Sequence, residues 1–302
     1  MFVTLLPTIL FAWTAVCATQ TSRRLGAKRA NLLRLVLAMM LLGGWYIFRG
    51  LPIPFQPQML FVLAGFIGFG IGGWIMFIAL QRIGSTLSLL IVECASAIWT
   101  AGIGWVILGA KLDLIQITFA SFSICGVLVA LLPEIKRNQW QQPIFKGGIL
   151  LATVASLGQA ISFSISKYAF NLMEKTPGFS IPISAAFFRV VGGFSAAFMI
   201  WVFFRRISDT TQLKGRYPEK KSQYNIIWWI TMNTLAGPVF GVTAMLWAIR
   251  EVGNPGLVQS VVACATLISV PLSHKFESHR FNRRYYLGAI ISILGTSGLI
   301  LF

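Results

Sequence analysis

Runs of about 20 apolar residues recur along nearly the whole chain, and each is long enough to cross the hydrocarbon core of a bilayer. Backbone groups in lipid must be satisfied within the protein, so only helices and closed barrels can span it. These runs lack the alternation of a barrel strand, which leaves helices. Ten spans are expected, at about 2–20, 29–48, 57–81, 84–108, 114–132, 146–170, 180–204, 224–249, 255–274 and 284–302. The expected fold is therefore an all-α polytopic membrane protein with ten transmembrane helices. Of the 302 residues 56% are hydrophobic and 11% charged, against about 25% charged in a soluble domain. The spans use up the length and leave no sizeable soluble domain. The first run has no basic segment before it and is read as a retained helix, not a signal peptide.

The net charge of +17 does not point to nucleic acid, because the basic residues sit in short loops and not on one face of a soluble fold. Eighteen of the 25 Lys and Arg follow odd-numbered spans and five follow even-numbered ones. By the positive-inside rule the odd loops are cytoplasmic and both termini lie outside. The longest polar segment, Arg205 to Gln223, reads as a solvated cytoplasmic connector. Cys17, Cys94, Cys125 and Cys264 lie within spans, with no CxxC and no His cluster, and read as small packing residues; neither a metal nor a cofactor is expected. No P-loop, HExxH, nucleophile elbow or GxGxxG in a βαβ setting occurs, so an enzyme is not expected.

The chain carries a repeat. At an offset of 169, Gly68 meets Gly237, Gly72 meets Gly241, Gly84 meets Gly253 and Gly126 meets Gly295; Ser123 meets Ser292 and Ala120 meets Ala289. Earlier the offset is 155, pairing Leu33-Arg34 with Phe188-Arg189. The halves are then 1–137 and 138–302, five spans each. An odd span count gives consecutive copies opposite orientation, so these are inverted repeats. In transporters built that way the site lies at the repeat interface. Gly68-x-x-x-Gly72 and Gly237-x-x-x-Gly241 let neighbouring helices approach closely. Pro182, Pro238 and Pro271 are expected to bend spans seven, eight and nine.

Glu93 stands well inside the fourth run, where a carboxylate costs about 2.5–3.5 kcal/mol to insert. Ser96, Ala97 and Thr100 share its helical face, making a small, polar stripe that is expected to line a path through the membrane. Glu93 is either a proton-coupling or cation-binding carboxylate or a structural one, hydrogen-bonded or paired with Arg34. Arg34 either snorkels to the cytoplasmic edge or faces a cavity; Arg189 is too deep to reach the cytoplasmic side easily and either reaches the outer edge or faces a cavity. Trp13 and Trp99, with Trp74 and Trp247, lie within spans and are candidates for an aromatic wall. Trp140, Trp228 and Trp229 are expected at membrane interfaces. Gln159 and Gln259 are amides at depth, for substrate or for interhelical bonding. His274 and His279 flank a basic loop and read as surface residues.

Several short stretches resemble one family. They are Phe11-Ala12-Trp13, the matched Leu33-Arg34 and Phe188-Arg189, Ile83-Gly84 and Val252-Gly253, Val92-Glu93, and Leu108-Gly109-Ala110-Lys111-Leu112. Together they resemble the EamA-like permeases of the drug/metabolite transporter superfamily. The chain departs from the pattern in having Ala110 in place of an acid, no proline after Glu93, and Val262 at the position matching Glu93. The resemblance implies a secondary transporter, often an exporter, of a small metabolite such as an amino acid or related compound. It further implies a central cavity lined by helices 1–4 and 6–9. The expected location is a bacterial cytoplasmic (inner) membrane. The expected partners are a small-molecule substrate, the lipid bilayer and, through Glu93, protons, but no nucleic acid; homodimerisation is left open. The competing readings are a membrane enzyme on lipid-linked substrates and a lipid flippase.

Overall fold

The computed structural model describes residues 2–109, 113–131, 142–173, 180–204, 225–277 and 283–301. Among these, every regular element is helical. In chain order they are α1 (Leu5–Leu25), α2 (Ala27–Arg49), α3 (Phe55–Gly65), α4 (Gly73–Leu108), α5 (Leu114–Leu131), α6 (Pro143–Asn171) and α7 (Ser180–Phe203), then α8 (Ile226–Thr234), α9 (Phe240–Val252), α10 (Pro255–Val262), α11 (Ala265–Glu277) and α12 (Arg283–Leu301). Two π-helical segments, Phe66–Gly72 and Leu235–Val239, join α3 to α4 and α8 to α9. Among the described residues seven helices, some of them joined pairs of these elements, are long and apolar enough to cross a membrane, and Leu114–Val129 is a shorter apolar one.

One of the seven, Phe55–Ile107, has 53 residues. At 1.5 Å per residue it would run to roughly 80 Å, more than twice the hydrocarbon thickness. It is not straight. Gly84, at φ 81° and ψ 174°, is non-helical inside α4. Only glycine enters that region freely, so Ile83-Gly84 turns the chain without a loop where the sequence places a boundary between spans three and four. The matched residue, Gly253, has φ 80° and ends α9. Asn254 then caps α10, its side chain accepting from the amides of Gly256 (3.0 Å) and Leu257 (3.4 Å), with Pro255 in the first turn where its missing N–H is harmless.

The prolines behave unequally. Pro238 falls inside the second π segment and Pro271 inside α11. Pro182 sits in the first turn of α7, whose amides lack intrahelical acceptors anyway, so it costs no hydrogen bond there. The Trp pair is also divided: Trp228 is half-buried, but Trp229 is fully buried against Trp228 and Phe276. Trp140, His279, Ala110, Lys111, Leu112 and the 205–223 connector lie outside the described residues.

The outer surface is apolar, with Phe48, Val106 and Leu114 each at least 80% exposed, while many serines, threonines and amides are buried. That inside-out distribution suits lipid as the surrounding solvent. Small residues set the packing distances. A Cβ on Gly65 would lie 1.8 Å from the Arg189 carbonyl oxygen, and one on Gly192 would lie 1.8 Å from that of Val62, so α3 and α7 touch backbone to backbone. The pair α5 and α12 meets the same way, and reciprocally. Gly126 abuts the Ser292 backbone and the Gly288 carbonyl, and Gly295 abuts the Ser123 backbone and the Phe119 carbonyl.

Candidate functional site

A cavity of about 110 Å³ lies among α1, α2, the first π segment, α4, α6, α7, the second π segment and α9. Its polar lining is Thr14, Arg34, Glu93, Gln159, Ser162 and Arg189; Phe11, Phe69, Phe77 and Phe163 supply apolar wall. Residues from 11 to 93 and from 155 to 242 contribute, which covers the positions of spans one to four and six to eight. No residue of the expected ninth span lines it.

Glu93 is 3% exposed. Its carboxylate accepts from Gln159 Nε2, at 3.2 and 3.4 Å to its two oxygens, and Oε2 also accepts from Gln259 Nε2. Among the described residues no cation stands within ion-pairing distance of it, so two neutral amides occupy the position that Arg34 was a candidate for. Gln259 reaches the carboxylate from α10 although it is no part of the cavity wall. It is wholly buried, and its Oε1 has no donor.

The two arginines both face the cavity but are held differently. Arg189 is 1% exposed. Its Nη1 donates to Ser166 Oγ at 3.0 Å and its Nη2 to Ser162 Oγ at 2.8 Å. Each serine passes its own hydroxyl proton to a backbone carbonyl, Ser162 to Ala64 and Ser166 to Ser162, which leaves their lone pairs for the guanidinium. The guanidinium also lies over the rings of Phe69 and Phe163, at 5.1 and 4.8 Å from their centroids. Arg34 is half-buried and donates only through Nε, to Asn31 Oδ1 at 3.1 Å. Asn31 in turn donates to the Phe69 carbonyl at 3.0 Å, tying the arginine to the first π segment. The Arg34 guanidinium lies 4.6 Å over the Phe77 ring.

Glycines matched by the repeat stand beside the two arginines. Gly68 faces Arg189, a Cβ there coming 3.7 Å from Nη2, and Gly237 faces Arg34, a Cβ there coming 3.9 Å from Nη1. Ser162 crowds Gly68 and Thr14 crowds Gly237. The carbonyl of Arg189 abuts Gly65, while that of Arg34 accepts from Thr234 Oγ1 at 3.4 Å. Gly68 and Gly237 thus make room for the hydroxyl side chains of Ser162 and Thr14, with a guanidinium in contact range of each.

The other expected residues lie elsewhere. Ser96 and Thr100 are fully buried, their hydroxyls have no hydrogen-bond partner among the described residues, and they do not line the cavity. Their helix face packs on α10, where Gly256 abuts Ala101. Trp99 is 44% exposed. Trp13 packs edge-on against Trp228 and Phe276, at 6.1 and 6.2 Å. Asn31, Thr14, Ser162 and Ser166 were not singled out by sequence. The available signal was spacing: Asn31 stands one turn before Arg34, and Ser162 and Ser166 form an i, i+4 pair.

Residues 1–132 match the family model described as "EamA-like transporter family". No curated protein matches the chain. A protein of known crystal structure is similar in fold, with a TM-score of 0.70 at 13% identity, over 99% of this chain and 96% of that one. The fold is shared along nearly the whole length, and the glutamate at the cavity and one of its two arginines fall inside the matched region. By that match, residues 1–132 carry the sequence pattern of the EamA-like transporters, a family of the drug/metabolite transporter superfamily.

Proposed function

We propose that this protein is a secondary active transporter of a small organic metabolite. It works by alternating access between two inverted five-helix halves, 1–137 and 138–302, and Glu93 couples transport to protons. The observation that carries the reading is the composition of the cavity wall. A carboxylate from the first half is held only by amides from the second, and one arginine comes from each half. The reciprocal contacts support the inverted repeat: Gly126 on Ser292 with Gly295 on Ser123, and Arg189 by Gly68 with Arg34 by Gly237. In each case the second contact is the first with both residues replaced by their repeat partners, as a two-fold relation between halves requires. Basic residues behind the odd spans support both termini outside and a cytoplasmic (inner) membrane location.

Two measurements test it. Val242→Cys, placed in the cavity wall of a background without the four native cysteines, should react with impermeant maleimide from either face of oriented vesicles; reaction from one face alone refutes alternating access. Proteoliposome uptake with and without a pH gradient tests the coupling. Glu93→Gln should lose the dependence on the gradient, and unchanged dependence removes Glu93 from the mechanism.

A further inference from the structure

Building on the transporter reading above, we propose that the cargo is a small organic anion, its carboxylate held by Arg34 and its apolar body laid against the phenylalanine walls. An ammonium group on the cargo is not read.

The two cavity arginines are not equivalent as binding groups. Arg189 has both Nη nitrogens committed to serine hydroxyls and two aromatic rings against its guanidinium. Those contacts fix its guanidinium in place as a source of positive potential, while its Nε meets no acceptor among the described residues. Arg34 spends only Nε, on Asn31. Among the described residues its Nη1 and Nη2 meet no acceptor, and glycines hold open the space beside them: a Cβ on Gly73 would lie 3.0 Å from Nη2. A guanidinium in a membrane interior needs a counter-charge, and its paired Nη groups fit a carboxylate in bidentate fashion.

The one acid of the lining does not supply that charge. Glu93 lies beyond ion-pairing distance of either arginine, and three amide contacts from Gln159 and Gln259 occupy its oxygens. Those same contacts leave Glu93 little capacity to receive an ammonium group. With two cations and one acid in the wall, the balance favours an anion over a zwitterion or a cation. Phe11, Phe77 and Phe163 supply the apolar surface for the remainder.

Three compounds on one carbon skeleton separate these features: L-leucine, 4-methylpentanoate and isopentylamine. In calorimetric titration of the full-length protein in detergent, 4-methylpentanoate should bind more tightly than leucine and isopentylamine should not bind. Arg34→Gln should weaken carboxylate binding about ten-fold or more, the scale of one charge-assisted hydrogen bond, and Arg34→Lys should lose less. Isopentylamine binding as tightly as the acid, no binding by either carboxylate, or undiminished binding in Arg34→Gln overturns the assignment. Leucine binding without 4-methylpentanoate shows that the ammonium is read and overturns it too. If Arg34→Gln does not fold, the three compounds on the native protein decide alone. Maleimide labelling of Val242→Cys from both faces, together with failure of both carboxylates, sinks this inference and leaves the transporter reading standing; labelling from one face alone sinks the transporter reading.

Discussion

Gln259 donates its amide to the Glu93 carboxylate across 166 positions of sequence while its own Oε1 meets no donor. The amide is therefore half-used, and what it does is satisfy a buried acid. Replacing it with methionine, of similar volume, should destabilise the protein by about 1–3 kcal/mol, the cost of one hydrogen bond to a charged group. In a Glu93→Gln background the same replacement should cost much less. Thermal unfolding of the four proteins in one detergent gives the coupling between the two residues; a coupling near zero would mean that the contact carries no stability.

Glycines at backbone contacts and glycines facing outward should differ sharply. Gly65→Ala pushes a methyl into the Arg189 carbonyl and should cost about 1–3 kcal/mol or more, because α3 and α7 must separate. Gly102 has nothing within 4 Å of a built Cβ. Gly102→Ala should be neutral or should stabilise its helix by up to about 1 kcal/mol. Melting temperatures of the two variants decide the matter.

The contact between α5 and α12 gives a prediction about additivity. Gly126→Ala and Gly295→Ala each force the same two helices apart, one from each side of the crossing. Once one methyl has separated them, the second finds part of its space made. The double variant should lose less stability than the two single losses together, and full additivity would show that the two contacts are independent.

Gly84 occupies a backbone region open almost only to glycine, so Gly84→Ala should cost about 1–3 kcal/mol as strain alone. A Gly84→Ala protein that melts with the native one would show that the joint relaxes into ordinary helix.

Apolar run length made helices legible in the sequence, and some observed limits follow the expected spans closely, as with Ser180–Phe203 for 180–204, while the stretch expected at 255–274 is divided into Pro255–Val262 and Ala265–Glu277. Charge at depth made Glu93, Arg34, Arg189, Gln159 and Gln259 legible, since a polar group in lipid needs a partner and its presence is conspicuous. Direction was not legible. Ser96 and Thr100 share a helix face with Glu93, yet the cavity opens only at the Glu93 end, and the rest of that face is covered by α10. The tryptophans misled for a related reason: an aromatic ring inside a span packs as well against Phe276 as against a solute. The π segments were not foreseen either, because a run such as Phe66–Gly72 has the composition of an ordinary apolar helix and differs only in winding.

Because spans three and four meet at a single residue, Gly84, they have no slack between them. The segment that carries Gly68, beside Arg189, and the segment that carries Glu93 are therefore continuous through one residue, and the backbone angles of Gly84 alone set how the cationic wall and the acidic wall of the chamber are angled to each other.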